Sequence, residues 1–223
     1  MYNSFNIQLD PYWDKVVSLL HFEGTAVNDS IVDTKENSWW KNGNLQLSTD
    51  NKKFGARSLL FTEDNPGYIQ SSSNEYSIGL NDFCIEFFFN ASHLEGNKVL
   101  FHLPYTISGE NYNLFLKIQG AYISLEVGSY DPIYTMIYSN TWYHVAVVRN
   151  NYGHLHLYLD GTLIGSFEFY DNVNSLSLTD VYIGAIGGNI YNFYGYIDEF
   201  RFTNGEGRYI GGFSPPTAPF PNF

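Results

Sequence analysis

WYHVAVVRNNYGHLHLYLDG, residues 142–161, reads as a β-hairpin and decides the fold. In its first half Trp142, His144, Ala146 and Val148 alternate with Tyr143, Val145 and Val147, so the segment is apolar on both faces, as expected of a central strand covered on both sides. In its second half Leu155, Leu157 and Leu159 point one way and His154, His156 and Tyr158 the other. Asn150, Asn151 and Gly153 between them tolerate positive φ. Asp160-Gly161 marks a second tight turn before Thr162, Leu163 and Ile164 open another strand. The stretch is therefore an antiparallel meander inside an all-β domain.

The same alternation extends in both directions. It predicts short strands at 16–22, 45–47, 58–61, 68–70, 83–90, 99–103, 114–118, 122–127, 133–137, 181–184 and 196–202, separated by turn signals such as Asn65-Pro66-Gly67. No three-turn helix, repeat or low-complexity run interrupts them. In 83–90, Phe83, Ile85, Phe87 and Phe89 share a face, and Cys84, Glu86 and Phe88 share the other. That spacing favours a sandwich over βαβ units. Residues 25–44 read as a polar loop with one or two short strands and Trp39-Trp40 inside it. Residues 1–10 read as an arm or linker, 11–212 as the sandwich, and 213–223, with Pro215, Pro216, Pro219 and Pro221, as an extended strap that cannot join a ladder.

The 223 residues suit one such domain, and the aromatic content of 18% supplies ample core. A net charge of −12 argues against nucleic acid or an anionic membrane as partner and is compatible with a cation or a neutral glycan. No apolar run approaches the ~18 residues of a membrane span. The N-terminal MYNSFNIQLD has neither a basic nor an apolar region of a signal peptide. Cys84 is the single cysteine, so no internal disulfide and no cysteine-based zinc cluster can form. Without signal or disulfide, the chain is expected to reach the outside within a larger assembly or as a fragment.

The hairpin resembles the signature hairpin of the laminin-G-like jelly roll, a branch of the concanavalin A-like lectin/glucanase superfamily. "SLLHFEG" (18–24), "KFGARSLLF" (53–61), "FCIEFFFN" (83–90) and "GYIDEFRFTNGEGRY" (195–209) follow the same family order. The fold expected is thus all-β, a two-sheet antiparallel jelly-roll sandwich of concanavalin A-like type. "DPYWDKVVSLLHFEG" (10–24) and "RYIGGFSPPTAPFP" (208–221) resemble jelly-roll modules of bacteriophage tail proteins.

The glucanase branch of that superfamily carries Glu-x-Asp-x-x-Glu on one strand. That pattern is absent here. Asp198-Glu199 are neighbours that point to opposite faces, and Glu86 stands alone on its strand. His154 and His156 share a face that zinc could use, but no acidic third ligand has a telling spacing, so a half-buried strand face is the plainer reading. His144 matches the family hairpin as a structural hydrogen-bonder. Asp198 shares, by alternation, the side of Phe200 and Phe202, which makes it an inward carboxylate needing partners. The resemblance implies a structural calcium there, with Glu23 and Gly24 near the first strand. A carboxylate capped by backbone amides, Arg201 or Arg208 is the alternative, and both stay open. Loop aromatics set among Asn, Ser, Gly and Glu are the candidate ligand contacts: Trp39, Trp40, Tyr105, Tyr112 and Tyr130.

The expected function is a non-catalytic carbohydrate- or receptor-binding module of a phage tail or similar surface particle. Its expected partners are a glycan or cell-surface receptor, other tail or virion proteins, and further copies of itself as a homo-oligomer, with no membrane insertion. Its expected location is the virion, or otherwise the extracellular side of a larger assembly. A structural decoration or oligomerisation domain of a virion is the alternative, and a glycoside hydrolase the third.

Overall fold

The computed structural model describes residues 9–24, 31–150, 152–172 and 179–223. Fifteen strands are named among them: β1 Val16–Leu20, β2 Trp40–Asn42, β3 Gln46–Ser48, β4 Ser58–Phe61, β5 Tyr68–Ser73, β6 Phe83–Ala91, β7 Asn97–Ile107, β8 Glu110–Gln119, β9 Tyr122–Val127, β10 Ile133–Met136, β11 Trp142–Arg149, β12 His154–Leu159, β13 Thr162–Glu168, β14 Thr179–Ile183 and β15 Gly195–Asn204. One sheet runs β13-β12-β11-β6-β15-β4-β3, with β1 also paired to β15; the other runs β10-β9-β8-β7-β14-β5-β2. Every pairing between named strands is antiparallel. The molecule is the expected two-sheet jelly roll.

The hairpin takes its expected place. β11 lies between β6 and β12, and Val147 pairs with Ile85 on one side and Leu157 on the other. Asp160 and Gly161 both have positive φ (47° and 74°), which makes the primed turn that matches strand twist. The core between the sheets takes Phe83, Ile85, Phe87 and Phe89 from β6, Tyr143, Val145 and Val147 from β11, and Leu155 and Leu157 from β12. Opposite them stand Leu114, Leu116 and Ile118 of β8 and Ile123, Leu125 and Val127 of β9. Each such side chain, fully buried, contributes roughly 1.5–3 kcal/mol.

Alternation fails at one informative place. On β15, Asp198 pairs with Phe88 but Arg201 pairs with Glu86, so three steps on β15 match two on β6. The extra residue is Glu199, in the left-handed region at φ 53°. This bulge sends Ile197, Phe200 and Phe202 into the core and turns Asp198 and Arg201 to the outer face. The expectation that Asp198 shares the core side with Phe200 and Phe202 is therefore corrected: one inserted residue reverses the phase between them.

The outer face of the first sheet is not a solvent face. Residues 205–223 cross it: the Phe213 amide donates to the Gly161 carbonyl (2.9 Å), the Phe213 ring stacks on Tyr209 and meets Tyr158, and Phe220 is buried with Phe88. The Asp10 amide donates to the Phe223 carbonyl at 2.7 Å, so the described ends of the chain lie together. Beneath sits a buried ionic network. Glu86 Oε1 accepts from Arg201 (2.7 Å), and Glu86 Oε2 accepts from Tyr209 (2.7 Å) and lies 3.2 Å from His144 Nε2. Asp10 accepts from both Arg201 and Arg208, each at 2.9 Å. Burial alone would push Glu86 up; Arg201, the His144 hydrogen bond and Arg208 outweigh it and hold its carboxyl well below the usual range. Residues 1–8 of the expected arm, residues 25–30 of the expected loop and Asn151 of the hairpin turn lie outside the described residues.

Candidate functional site

The outer face of the second sheet is built differently. Cross-strand register lines up one residue from each of six strands: Trp40 with Gln70, Gln70 with Tyr182, Tyr182 with His102, His102 with Phe115, and Phe115 with Glu126. Rings stack along the middle of this row, His102 lying 4.5 Å from Phe115 and 5.3 Å from Tyr182, with Tyr68 5.8 Å beyond Tyr182. Near-parallel neighbours cover each other's faces, so the row offers edges and polar tips rather than flat rings. Burial lowers the His102 pKa, and Asn113 Oδ1, 2.8 Å from Nε2, fixes the neutral tautomer with that nitrogen protonated. Burial, then Asp180, pushes the Tyr182 phenol up to about 12, so it remains a hydroxyl donor and acceptor.

Two clefts open along β8, β9 and β10 and share Glu126. One, of about 300 Å³, is lined by Asn111, Tyr112, Asn113, Phe115, Gly128 and Ser129 with that glutamate. The other, also about 300 Å³, is lined by Gln119, Tyr122, Ser124, Pro132 and Tyr134 with it. Tyr122 and Tyr134 meet edge to face (5.8 Å, 88°) and are 42% and 61% exposed. Ser124 is buried, and its Oγ has no partner among the described residues. Glu126 Oε2 holds Lys117 Nζ at 2.7 Å. Flat apolar walls beside hydroxyl, amide and carboxylate groups can take an amphipathic polyol.

The five aromatic residues singled out from sequence divide. Trp39 and Tyr105 are core, not loop contacts: Trp39 packs edge-on to Tyr76 and Phe200 and donates to Asp33 (3.0 Å), and Tyr105 stacks on its cross-strand partner Tyr112 at 5.7 Å. Tyr105 lies within β7, which reaches further than the turn residues suggested, and Trp39 lies just ahead of β2; in both, aromatic area is buried rather than displayed. Trp40 is exposed on edge strand β2. Tyr112 borders the first cleft, while Tyr130 lies against Phe167 at 4.8 Å. Tyr105, Tyr112 and Tyr130 thus gather at one end of the sandwich, and the Trp pair belongs to the β2 edge.

Asp198 Oδ2 accepts from the amides of Lys53 (2.8 Å) and Phe54 (3.1 Å), whereas Oδ1 is buried without a partner among the described residues. Burial outweighs the amides and raises its pKa to about 7. Glu23 accepts from the Ala56 amide (2.9 Å), and Gly55 is a glycine by necessity: φ is +56° and a Cβ there would fall 1.7 Å from Glu23 Oε1. So Asp198 and Glu23, the latter followed in the chain by Gly24, fasten the same 53–56 loop. The unpaired Asp198 oxygen fits a cation or a proton; calcium takes six to eight oxygens, and among the described residues no three His, Cys, Asp or Glu gather to hold a metal. His156 makes a contact with Asn150 at 2.9 Å on its half-covered strand face.

Sequence reasoning passed over Ser124, Glu126, Tyr122 and Phe115. Their signal was present, since alternation in 122–127 puts Tyr122, Ser124 and Glu126 on the face away from Ile123, Leu125 and Val127. What it lacked was register, which sets Ser124 opposite Lys117 and Tyr134.

A jelly roll with one sheet face sealed and the other displaying aromatic clefts belongs to the lectin-like sandwiches. The chain is a member of the concanavalin A-like lectin/glucanases superfamily, whose family model matches residues 63–206. Comparison with curated proteins finds no match. Among solved structures, the binding domain of botulinum neurotoxin serotype D superposes with a TM-score of 0.66 at 18% identity, over 88% of this chain and 50% of that one. Domain 4 of AbnA, a GH43 extracellular arabinanase from Geobacillus stearothermophilus, solved in complex with arabinotriose, gives 0.64 at 15% identity, over 86% and 93%. A botulinum neurotoxin type C structure, whose description ties cell entry to interaction with two ganglioside molecules, gives 0.62 at 15%, over 86% and 48%. The chain thus spans about half the length of the toxin chains it resembles. At these identities the likeness establishes the fold.

Proposed function

We propose that this protein is a non-catalytic module that binds a glycan, free or as part of a cell-surface receptor, through the outer face of its second sheet. The observation that carries the reading is the pair of aromatic-lined clefts sharing Glu126. Glu86, the carboxylate that stands alone on its strand, supports the non-catalytic part: it is fully buried and already held by Arg201, His144 and Tyr209, so it has no route to a glycosidic oxygen. The arabinotriose complex of one structural neighbour and the ganglioside description of another are consistent with glycan as the ligand class. The resemblance of both terminal segments to phage tail modules suggests a tail or similar particle as the setting, where further copies and tail proteins are the structural partners. A glycan array probed with the purified chain tests the reading. Selective binding to a family of glycans is expected; an array blank at high protein concentration, with no adsorption to cells either, overturns it.

A further inference from the structure

We propose that the cleft between β9 and β10 is a subsite for a single neutral pyranose ring, which rests on the glycan-binding reading above and assigns it an address. Ser124 is the small residue in a row of large ones. Lys117 of β8 and Tyr134 of β10 face it across the strands, and Tyr122 and Glu126 flank it on the same face of β9. A small side chain ringed by large ones leaves a hole, and that hole is the cleft of about 300 Å³, at the small end of ligand pockets and so sized for one ring. Its walls are only partly spent on each other. Tyr122 and Tyr134 meet edge to face at 88°, so ring surface remains free in the cleft, and both are exposed.

The floor distinguishes a sugar from a peptide side chain. Ser124 is 5% exposed, and its Oγ lacks a partner among the described residues. A buried hydroxyl left unpaired is unfavourable, and an aliphatic or aromatic side chain inserted over it would leave it so. A pyranose supplies both halves, an axial C–H face for the tyrosines and a rim of hydroxyls for Ser124 Oγ, the Gln119 amide and Glu126. Charge selects among sugars. Lys117, the cation in register with Ser124, is committed to Glu126 at 2.7 Å, and the chain carries −12, so a carboxylate- or sulfate-bearing sugar finds no free cation here and an unfavourable field.

The test uses the methyl glycosides of glucose, galactose and mannose in both anomers, with methyl glucuronide as the charged comparator. Binding is followed by saturation-transfer NMR and by titration of the full chain. At least one neutral glycoside is expected to bind with a Kd in the millimolar range, and the glucuronide more weakly by about tenfold. Ser124→Ala and Tyr134→Ala should each weaken the neutral sugar by about tenfold or more with melting temperature unchanged, while Ile210→Ala, exposed in the segment over the other sheet, leaves it alone. The subsite is overturned if no neutral glycoside binds, if binding survives both variants, or if the glucuronide binds as well. Loss with Tyr134→Ala but full affinity with Ser124→Ala overturns it in favour of an apolar occupant. Array binding that both variants retain leaves the glycan reading standing and removes only this subsite, whereas a blank array removes both.

Discussion

The two outer faces of the sandwich start from the same sequence pattern and end as opposites. On β6 the residues Cys84, Glu86 and Phe88 alternate with core phenylalanines; on β9 Tyr122, Ser124 and Glu126 alternate with Ile123, Leu125 and Val127. Each strand places one glutamate on its outer side. Glu86 is fully buried under residues 205–223 and held by Arg201, His144, Arg208 and Tyr209. Glu126 stays at the surface with one lysine. The difference lies in what covers the strand. A sealed face turns its polar groups into structure, because a buried charge must be matched in full; an exposed face leaves them free for a ligand.

The largest expected effect breaks the sealed side. Glu86→Ala strands two arginines in a buried network and should cost about 3–5 kcal/mol in denaturant unfolding, while Glu126→Ala, losing one half-buried surface pair, should cost about 1 kcal/mol or less. Similar losses at both would erase the contrast. Next comes the anchor of the covering segment. Phe220 is 3% exposed and lies 3.9 Å from the Arg201 guanidinium, so Phe220→Ala should cost about 3 kcal/mol and raise amide exchange along 205–223 without altering exchange in β9. Uniform exchange changes in both sheets would mean that the segment is not a separate cover.

A smaller effect is expected from pH. Asp198 is raised from 3.8 to about 7, mainly by burial. An acid whose folded pKa is raised favours folding while protonated, and that contribution is lost as pH climbs through the folded value. His21, whose Nδ1 lies 2.8 Å from Glu199 Oε1 and whose Nε2 faces Asn222 Oδ1, is also raised: burial opposes this, but the Glu199 hydrogen bond and charge outweigh it. Its contribution is complete below its ordinary 6.5 and fades as pH rises through the folded value. Both act in one direction, while His102 and His156, lowered by burial, act in the other up to their ordinary 6.5, so the Asp198 contribution is read by difference: Asp198→Asn should lose less stability than the parent as pH rises from mildly acidic to neutral. An Asp198→Asn variant whose stability follows the same pH slope as the parent would contradict the assignment. The same Asp198 oxygen is where calcium would act. Calcium should then raise the melting temperature with its concentration, and Asp198→Ala should abolish the rise; a melting curve indifferent to chelator leaves that oxygen to a proton.

The fold was largely legible in advance because period-two alternation dictates it. β9 and β11 have the bounds read from sequence, 122–127 and 142–149. Asp198 was misread because one bulge residue, Glu199, has no signature in composition. Trp39 and Tyr105 were misread because turn-forming neighbours say where the chain bends, not whether a ring beside the bend points in or out. The β9–β10 cleft depends on register between strands whose turn length alone does not set it, and Glu86 looked solitary because its partners Arg201, Arg208 and Tyr209 are distant in sequence.

The central claim, that the open face of the second sheet binds and the sealed face of the first does not, is tested most directly by mapping amide and tyrosine-ring shifts during titration with the strongest array glycan. Perturbations concentrated at Phe115, Ser124, Glu126 and Tyr134, with Glu86, Arg201 and Tyr209 unmoved, are the predicted result. Shifts centred on residues 205–223 or on the buried network beneath them would contradict it.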